Sequence, residues 1–484
     1  MIKRNFHYRL LPIAVALVLA GCSLSPDYNR PAAPVPETYP NASEGMQAEN
    51  AVPAADLGWR QFFHDPQLKA LIEIALNNNR DLRVAIERVE ESRALYGIQQ
   101  SDRFPTIGAG ANASIQRMPE ELRAGWASAP IVSRMYQAGV GVTAFELDLF
   151  GRVKNLTEAA YQQYLASEQA RRTVHISLIA QVAEAYFRLR ATELQRQIIE
   201  QTLKSRSNSY DLIKKRFDIG VAGSLDLYQA KSQRDQVRSD LQEIRRLEQQ
   251  AQNALLLLLG DTPGPMLPES APFSRDQLMA QIPVGLPSDL LTRRPDIIAA
   301  ENNLLAANAN IGAARAAFFP NISLTGLLGF ASNAMGGLFS GSNRFWSFTP
   351  QITMPIFGGG VSGNLDLAEA RKNIAIAQYE KTIQVAFREV ADALAGEATY
   401  AEQLDALRDL EESASESLRI AQLRYENGID SFLQVQTAEV TLYNAQRLFL
   451  DTGMNSLMNR VELYKALGGG WNENTVQTDQ EPSA

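Results

Sequence analysis

The chain has 484 residues, with 54 acidic and 46 basic side chains, a net charge of −8 and a charged fraction of 21%. That acidic balance argues against a nucleic-acid partner, because neutralising phosphates needs a basic surface. A single cysteine, Cys22, leaves no internal disulfide, and three histidines without metal-like spacing offer no metal centre.

Lys3, Arg4 and Arg9 precede an apolar run over residues 10–20, which closes on Leu19-Ala20-Gly21-Cys22. Charge, a short apolar run and small residues in that order predict a signal peptide over residues 1–21. The run is too short to span a bilayer as a mature helix. The four closing residues resemble the lipobox of bacterial lipoproteins, which implies that Cys22 is acylated and begins the mature chain. Ser23, where Asp would favour retention in the inner membrane, implies onward transfer. Residues 22–60 then read as a lipid-anchored tether, its first part rich in Pro, Ala, Asn and Glu. No later stretch has about 18 uncharged apolar residues, so any membrane crossing falls to strands.

From residue 80 the sequence repeats itself at an offset near 210. Asp81, Ala85, Gly97, Phe104 and Pro105 align with Asp296, Ala300, Gly312, Phe319 and Pro320. Further on, Gly220, Leu225, Ala230 and Leu259-Gly260 align with Gly428, Leu433, Ala438 and Leu467-Gly468 at one offset. The chain therefore divides into a first repeat over 61–260, a linker over 261–295, a second repeat over 296–470 and a tail over 471–484.

Each repeat reads as helix, two strands, long helix, tight turn, helix. Residues 81–103 and 296–317 are helical up to Phe-Pro, since proline disfavours helical geometry in its predecessor. Residues 153–217 and 363–425 contain no proline and predict helices of roughly 95–100 Å at 1.5 Å per residue. Residues 224–259 and 432–467 return at about 55 Å each. The two shorter helices of a repeat nearly match its long one, which predicts antiparallel coiled-coil pairing able to line a wide tube.

The strand regions alternate with period two. Ile107, Ala109, Ala111, Ala113 and Ile115 share one face, and Tyr136, Ala138, Val140, Val142 and Ala144 another. Ile322, Leu324, Leu328 and Phe330, then Trp346, Phe348, Ile352 and Met354, complete the apolar set. Such alternation suits a membrane barrel wall around a wet lumen. Four strands cannot close a barrel, and an open edge in lipid leaves backbone groups unsatisfied, so copies must assemble around the strands.

Three stretches resemble the TolC-like outer-membrane factor family, in its lipoprotein branch of multidrug efflux channels. They are Glu146-Leu147-Asp148-Leu149-Phe150-Gly151-Arg152, the block from Gly285 through Arg293-Arg294-Pro295-Asp296 to Glu301, and Tyr464-Lys465-Ala466-Leu467-Gly468-Gly469-Gly470-Trp471. The resemblance implies a mainly α chain giving four strands to a trimeric twelve-stranded membrane β-barrel, continued by a long α-helical barrel. It implies a homotrimer in outer-membrane lipid, with a periplasmic adaptor and an inner-membrane resistance-nodulation-division pump as partners. No catalytic constellation is present, so the chain reads as a passive duct and not an enzyme, with no cofactor beyond the covalent lipid on Cys22. Two alternatives remain at this level: a type I protein-secretion duct and a scaffold lipoprotein without a pore.

The turns after the long helices are the candidate sites. Phe217, Gly220, Tyr425 and Gly428 are the expected adaptor-contact tips. Leu225, Asp226, Asp430, Leu433 and Thr437 are the expected gate. The resemblance implies apolar and acidic rings here; Leu433 fits the apolar position, whereas Thr437 stands where such channels can carry an acid. Gly358-Gly359-Gly360 and Gly468-Gly469-Gly470 lack the Gly-Lys-Ser/Thr ending of a phosphate loop and read as helix-boundary punctuation.

Overall fold

The computed structural model describes residues 23–40, 52–117, 119, 132–262, 264, 267–280 and 282–475; the signal peptide and Cys22 lie outside them. In chain order the main elements are α1 (Pro66–Asn78), α2 (Arg80–Ser101), β1 (Ile107–Arg117), β2 (Val132–Glu146), α3 (Arg152–Asp218), α4 (Ser224–Leu259), α5 (Pro295–Ala316), β3 (Asn321–Ser332), β4 (Arg344–Thr353), α6 (Val361–Glu426) and α7 (Phe432–Ala466). The series α2 to α4 and α5 to α7 have the same order of elements, and α3 and α6 run to 67 and 66 residues. Helix α1 is an addition to the expected layout. Asp65 caps it by accepting from the N–H groups of Gln67 and Leu68 at 2.7 and 3.2 Å, and Pro66 opens it.

The chain divides into two compact units, each drawing on both repeats. The first falls within Met1–Pro31, Val89–Ser167 and Ala300–Tyr379. It contains one antiparallel sheet in the order β1-β2-β3-β4. Cross-strand partners share a face, and the rows Ala109, Val140, Leu328, Trp346 and Ile107, Val142, Gly326, Phe348 gather apolar side chains on one side. Asn112 with Gln137, and Ser323 with Gln351, lie on the other. The strict alternation through Ala144 does not hold. A bulge between Val142 and Phe145 leaves Ala144 at φ 50°, and Phe145 takes the apolar place opposite Leu324. The outer edges of β1 and β4 have no strand partner among the described residues. No helix among those residues is long and apolar enough to cross a membrane.

Where β2 passes into α3, Glu146 and Arg152 form a two-pronged ion pair at 2.8 and 2.5 Å, and Phe150 stacks on Phe319 at 4.7 Å. Asp148 accepts from the Lys154 N–H at 2.7 Å, satisfying a donor of the first helical turn. Residues 23–31 have no regular secondary structure but are fastened to α5 and to the start of α3. Arg30 chelates Glu301 at 2.7 and 2.8 Å, Asn308 donates to the Pro26 carbonyl at 2.8 Å, and Ser23 donates to Asn155 at 2.8 Å.

The second unit falls within Ala32–Arg88, Glu168–Ala299 and Glu380–Ala484. Trp59, Phe62, Phe63 and Tyr464 are fully buried there, with Phe62 stacked on Tyr464 at 4.0 Å. Arg294, of the Arg-Arg-Pro-Asp block, is buried. It chelates Asp296 at 2.9 and 2.7 Å, pairs with Glu389 at 2.7 Å and donates to the Ala466 carbonyl at 3.0 Å. The block therefore ties the start of α5 to α6 and to the end of α7. Gly469 lies so close to the Tyr464 ring that a Cβ would sit 2.2 Å from a ring carbon.

Candidate functional site

The two inter-helix turns are built alike. After α3, Gly220 takes φ 77°, the Gly220 N–H donates to the Phe217 carbonyl at 2.9 Å and the Val221 N–H to the Arg216 carbonyl at 2.8 Å. After α6, Gly428 takes φ 73°, with Gly428 donating to Tyr425 at 3.0 Å and Ile429 to Arg424 at 2.9 Å. These bonds satisfy carbonyls that an ending helix leaves free. A Cβ at either glycine would meet nothing within 4 Å, so backbone sign alone selects glycine.

One apolar core lies under both turns. Ile213 of α3, Ala230 of α4, and Phe432 and Val435 of α7 are buried together, with Tyr210, Leu227, Leu418 and Tyr425 packed against them. Tyr425 also lies 5.3 Å from the Phe432 ring. Arg216 donates to the Tyr425 hydroxyl at 2.5 Å, its guanidinium 5.2 Å from the ring centroid. Arg424 aligns with Arg216 in the duplication but turns into its own loop. It chelates Asp430 at 2.5 and 3.1 Å, and this hydrogen bonding holds the Asp430 carboxyl below the usual range.

Leu225 and Leu433 are 68% and 54% exposed, and Ile219, Val221, Tyr228 and Ile429 are bared beside them. This is apolar surface that none of the described residues covers. Asp226 is half-buried and Phe217 exposed. Thr437 donates its hydroxyl to the Leu433 carbonyl at 2.9 Å, so its polar group is absorbed by its own helix. Tyr425 is brought into contact with Arg216. Arg216 itself escaped the sequence reading, although its alignment with Arg424 marked it.

A family model described as "Outer membrane efflux protein" matches residues 71–261 and 286–469. The chain is 47% identical over 477 residues to the Pseudomonas putida proteins named "Antibiotic efflux pump outer membrane protein ArpC" and "Toluene efflux pump outer membrane protein TtgC", covering 98% of this chain and 98% of each. Among solved structures, the open state of the Neisseria gonorrhoeae MtrE outer membrane channel superposes with a TM-score of 0.85 at 39% identity, over 94% of this chain and 100% of that one. The fold and the paired turns are those of an outer-membrane channel. The chain belongs to the outer membrane efflux protein family and resides in the outer membrane as an efflux channel component.

Proposed function

We propose that the chain is the passive exit duct of a tripartite pump, a homotrimer fed by an inner-membrane resistance-nodulation-division pump through a periplasmic adaptor. The open sheet carries this reading. Its apolar face suits lipid, yet the free edges of β1 and β4 would leave N–H and C=O groups unpaired there, at several kcal/mol each. Three copies pairing β4 to β1 make twelve strands and remove every edge. A lipid on Cys22 anchors each copy. The relatives named for antibiotic and toluene efflux favour small amphiphilic cargo over protein secretion. The duct does no covalent chemistry.

The exposed apolar residues of the two turns, Leu225 and Leu433 foremost, form the gate when copies meet. The adaptor docks around Phe217, Gly220, Tyr425 and Gly428 and binds the open state better than the closed one, which shifts the population. Purified protein should run as a trimer in detergent and give steady single-channel currents in a planar bilayer. A monomer, or a trimer without conductance, overturns the reading.

A further inference from the structure

The apolar face of the sheet changes character at the strand ends remote from the helices. The register sets Arg117 opposite Val132, Arg134 opposite Ile115 and Arg344 opposite Phe330, so all three arginines stand on the face that carries Val140, Leu328 and Trp346. Arg117 ends β1, Arg134 lies near the start of β2 and Arg344 opens β4. Each is exposed, and none has a side-chain partner among the described residues. Arg117 and Arg134 are diagonal neighbours on adjacent strands, about 7–8 Å apart between Cα atoms. Like charges so placed repel, and they are at ease only with an anion between them. Two residues further in on the same face come Tyr136 after Arg134 and Trp346 after Arg344. Cations above aromatic rings above apolar side chains is the order of a membrane interface.

Beside Arg344 the face is hollow. A groove of about 810 Å³ is lined by Ala111, Ala138, Leu328 and Phe330, with Arg344 at its rim. Phe339, from the connection between β3 and β4, walls it by standing edge-on to Phe330 at 5.5 Å. That connection is built: the Asn343 side-chain nitrogen donates to the Gly337 carbonyl at 2.7 Å and to the Ser340 hydroxyl at 2.9 Å. Phe339 and Met335 are nevertheless largely exposed. An apolar wall held open in this way suits an acyl chain.

We propose that the three arginines and the groove bind the phosphorylated glycolipid of the outer leaflet, with head-group phosphates on Arg117, Arg134 and Arg344 and an acyl chain against Phe330 and Phe339. The inference rests on the duct reading, which turns this face to lipid and these strand ends outward. Charge selects the head group, because guanidinium forks match phosphate oxygens in pairs. The uncovered apolar face directly below selects a lipid over a free anion. With β4 of one copy paired to β1 of the next, Arg344 and the neighbouring copy's β1 come together, and the arginines form a belt around the barrel.

The test uses the full-length protein in detergent, stripped of lipid, then incubated with bisphosphorylated lipid A and read by native mass spectrometry. Wild type should retain lipid A about tenfold or more above the dephosphorylated form with the same acyl chains, and Arg117→Gln, Arg134→Gln and Arg344→Gln together should remove that excess. Equal retention of the two lipids by wild type overturns the proposal, and so does a triple variant that retains lipid A like its parent. The arginines would then be neutralised within the chain, for which Glu120 and Glu121 stand close in sequence. Inorganic phosphate that displaces the lipid at equal concentration also overturns it, because the site would be one for a free anion. Single-channel currents from the same preparation separate the two readings: their absence overturns the duct and this inference with it, whereas normal currents without phosphate-dependent retention overturn this inference alone.

Discussion

Arg216 of α3 and Tyr425 of α6 are joined by a 2.5 Å hydrogen bond and by the guanidinium packed 5.2 Å from the phenol ring, so the two turns share a polar link above their common core. Tyr425→Phe keeps the ring and removes the acceptor, while Arg216→Ala removes both interactions. A partly exposed charged hydrogen bond is worth about 1–2 kcal/mol, and the ring contact adds about 0.5–1 kcal/mol. If the turns form the gate, open-channel lifetime in planar bilayers rises from wild type to Tyr425→Phe to Arg216→Ala, by roughly five- to thirtyfold overall. Equal lifetimes in all three would remove this link from gating.

Leu433 is mostly exposed, so its side chain contributes little to the fold of a single chain. Leu433→Gly should lower helix stability by no more than about 1 kcal/mol. Single-channel conductance should rise if three such leucines narrow the pore. Unchanged conductance, with an unchanged melting temperature, would take Leu433 out of the gate.

The layout was legible because its punctuation is chemical: Pro105 and Pro320 stop helices, Gly220 and Gly428 adopt positive φ, and the strands alternate. The bulge was not. Ala144 departs from alternation because its N–H donates to the Thr325 hydroxyl at 3.1 Å, and Thr325 lies on another strand whose register the local sequence does not fix. Helix α1 had local signals, Asp65-Pro66 and the buried series Leu68, Leu71, Ile72 and Ala75, but no counterpart of equal length in the second repeat to draw attention to it. The different uses of Arg216 and Arg424 turn on one aligned position. Asp430 holds Arg424 in its own turn, whereas Ala222 stands at the matching place and leaves Arg216 free to reach Tyr425.

Gly312 on α5 marks where the N-terminal segment is seated. A Cβ there would lie 2.5 Å from the Asn155 side-chain nitrogen and 2.7 Å from the Ser25 backbone nitrogen. Backbone cannot yield as a flexible side chain can, so Gly312→Ala should cost about 1–3 kcal/mol and displace residues 23–26. Chymotrypsin cleavage after Tyr28 should then quicken at least severalfold. The oxygen of Tyr28 is held at 3.0 Å from Glu301, so a Glu301→Ala variant should show the same cleavage without the overpacking. Protection of Tyr28 in both variants would show that the segment is held by other contacts.

His175 sits 5.0 Å from the Trp471 ring, which also receives Arg171 and Arg172 at 5.0 Å each. Burial, with a smaller push from Arg171, lowers the imidazole from its ordinary value to about 4. The folded state thus resists a proton that the unfolded chain accepts near pH 6.5. The sign follows: as pH falls from about 6.5 towards 4 the unfolded state binds more protons and stability is lost, by about 3 kcal/mol at most. The neutral His175→Gln carries no such proton difference. Melting temperatures at pH 7.5 and 4.5 should therefore fall more steeply for wild type than for His175→Gln, whatever the other titrating groups contribute to both. Parallel falls would mean that His175 is solvated enough to take its proton in the folded state, and Trp471 would then not be sealing it.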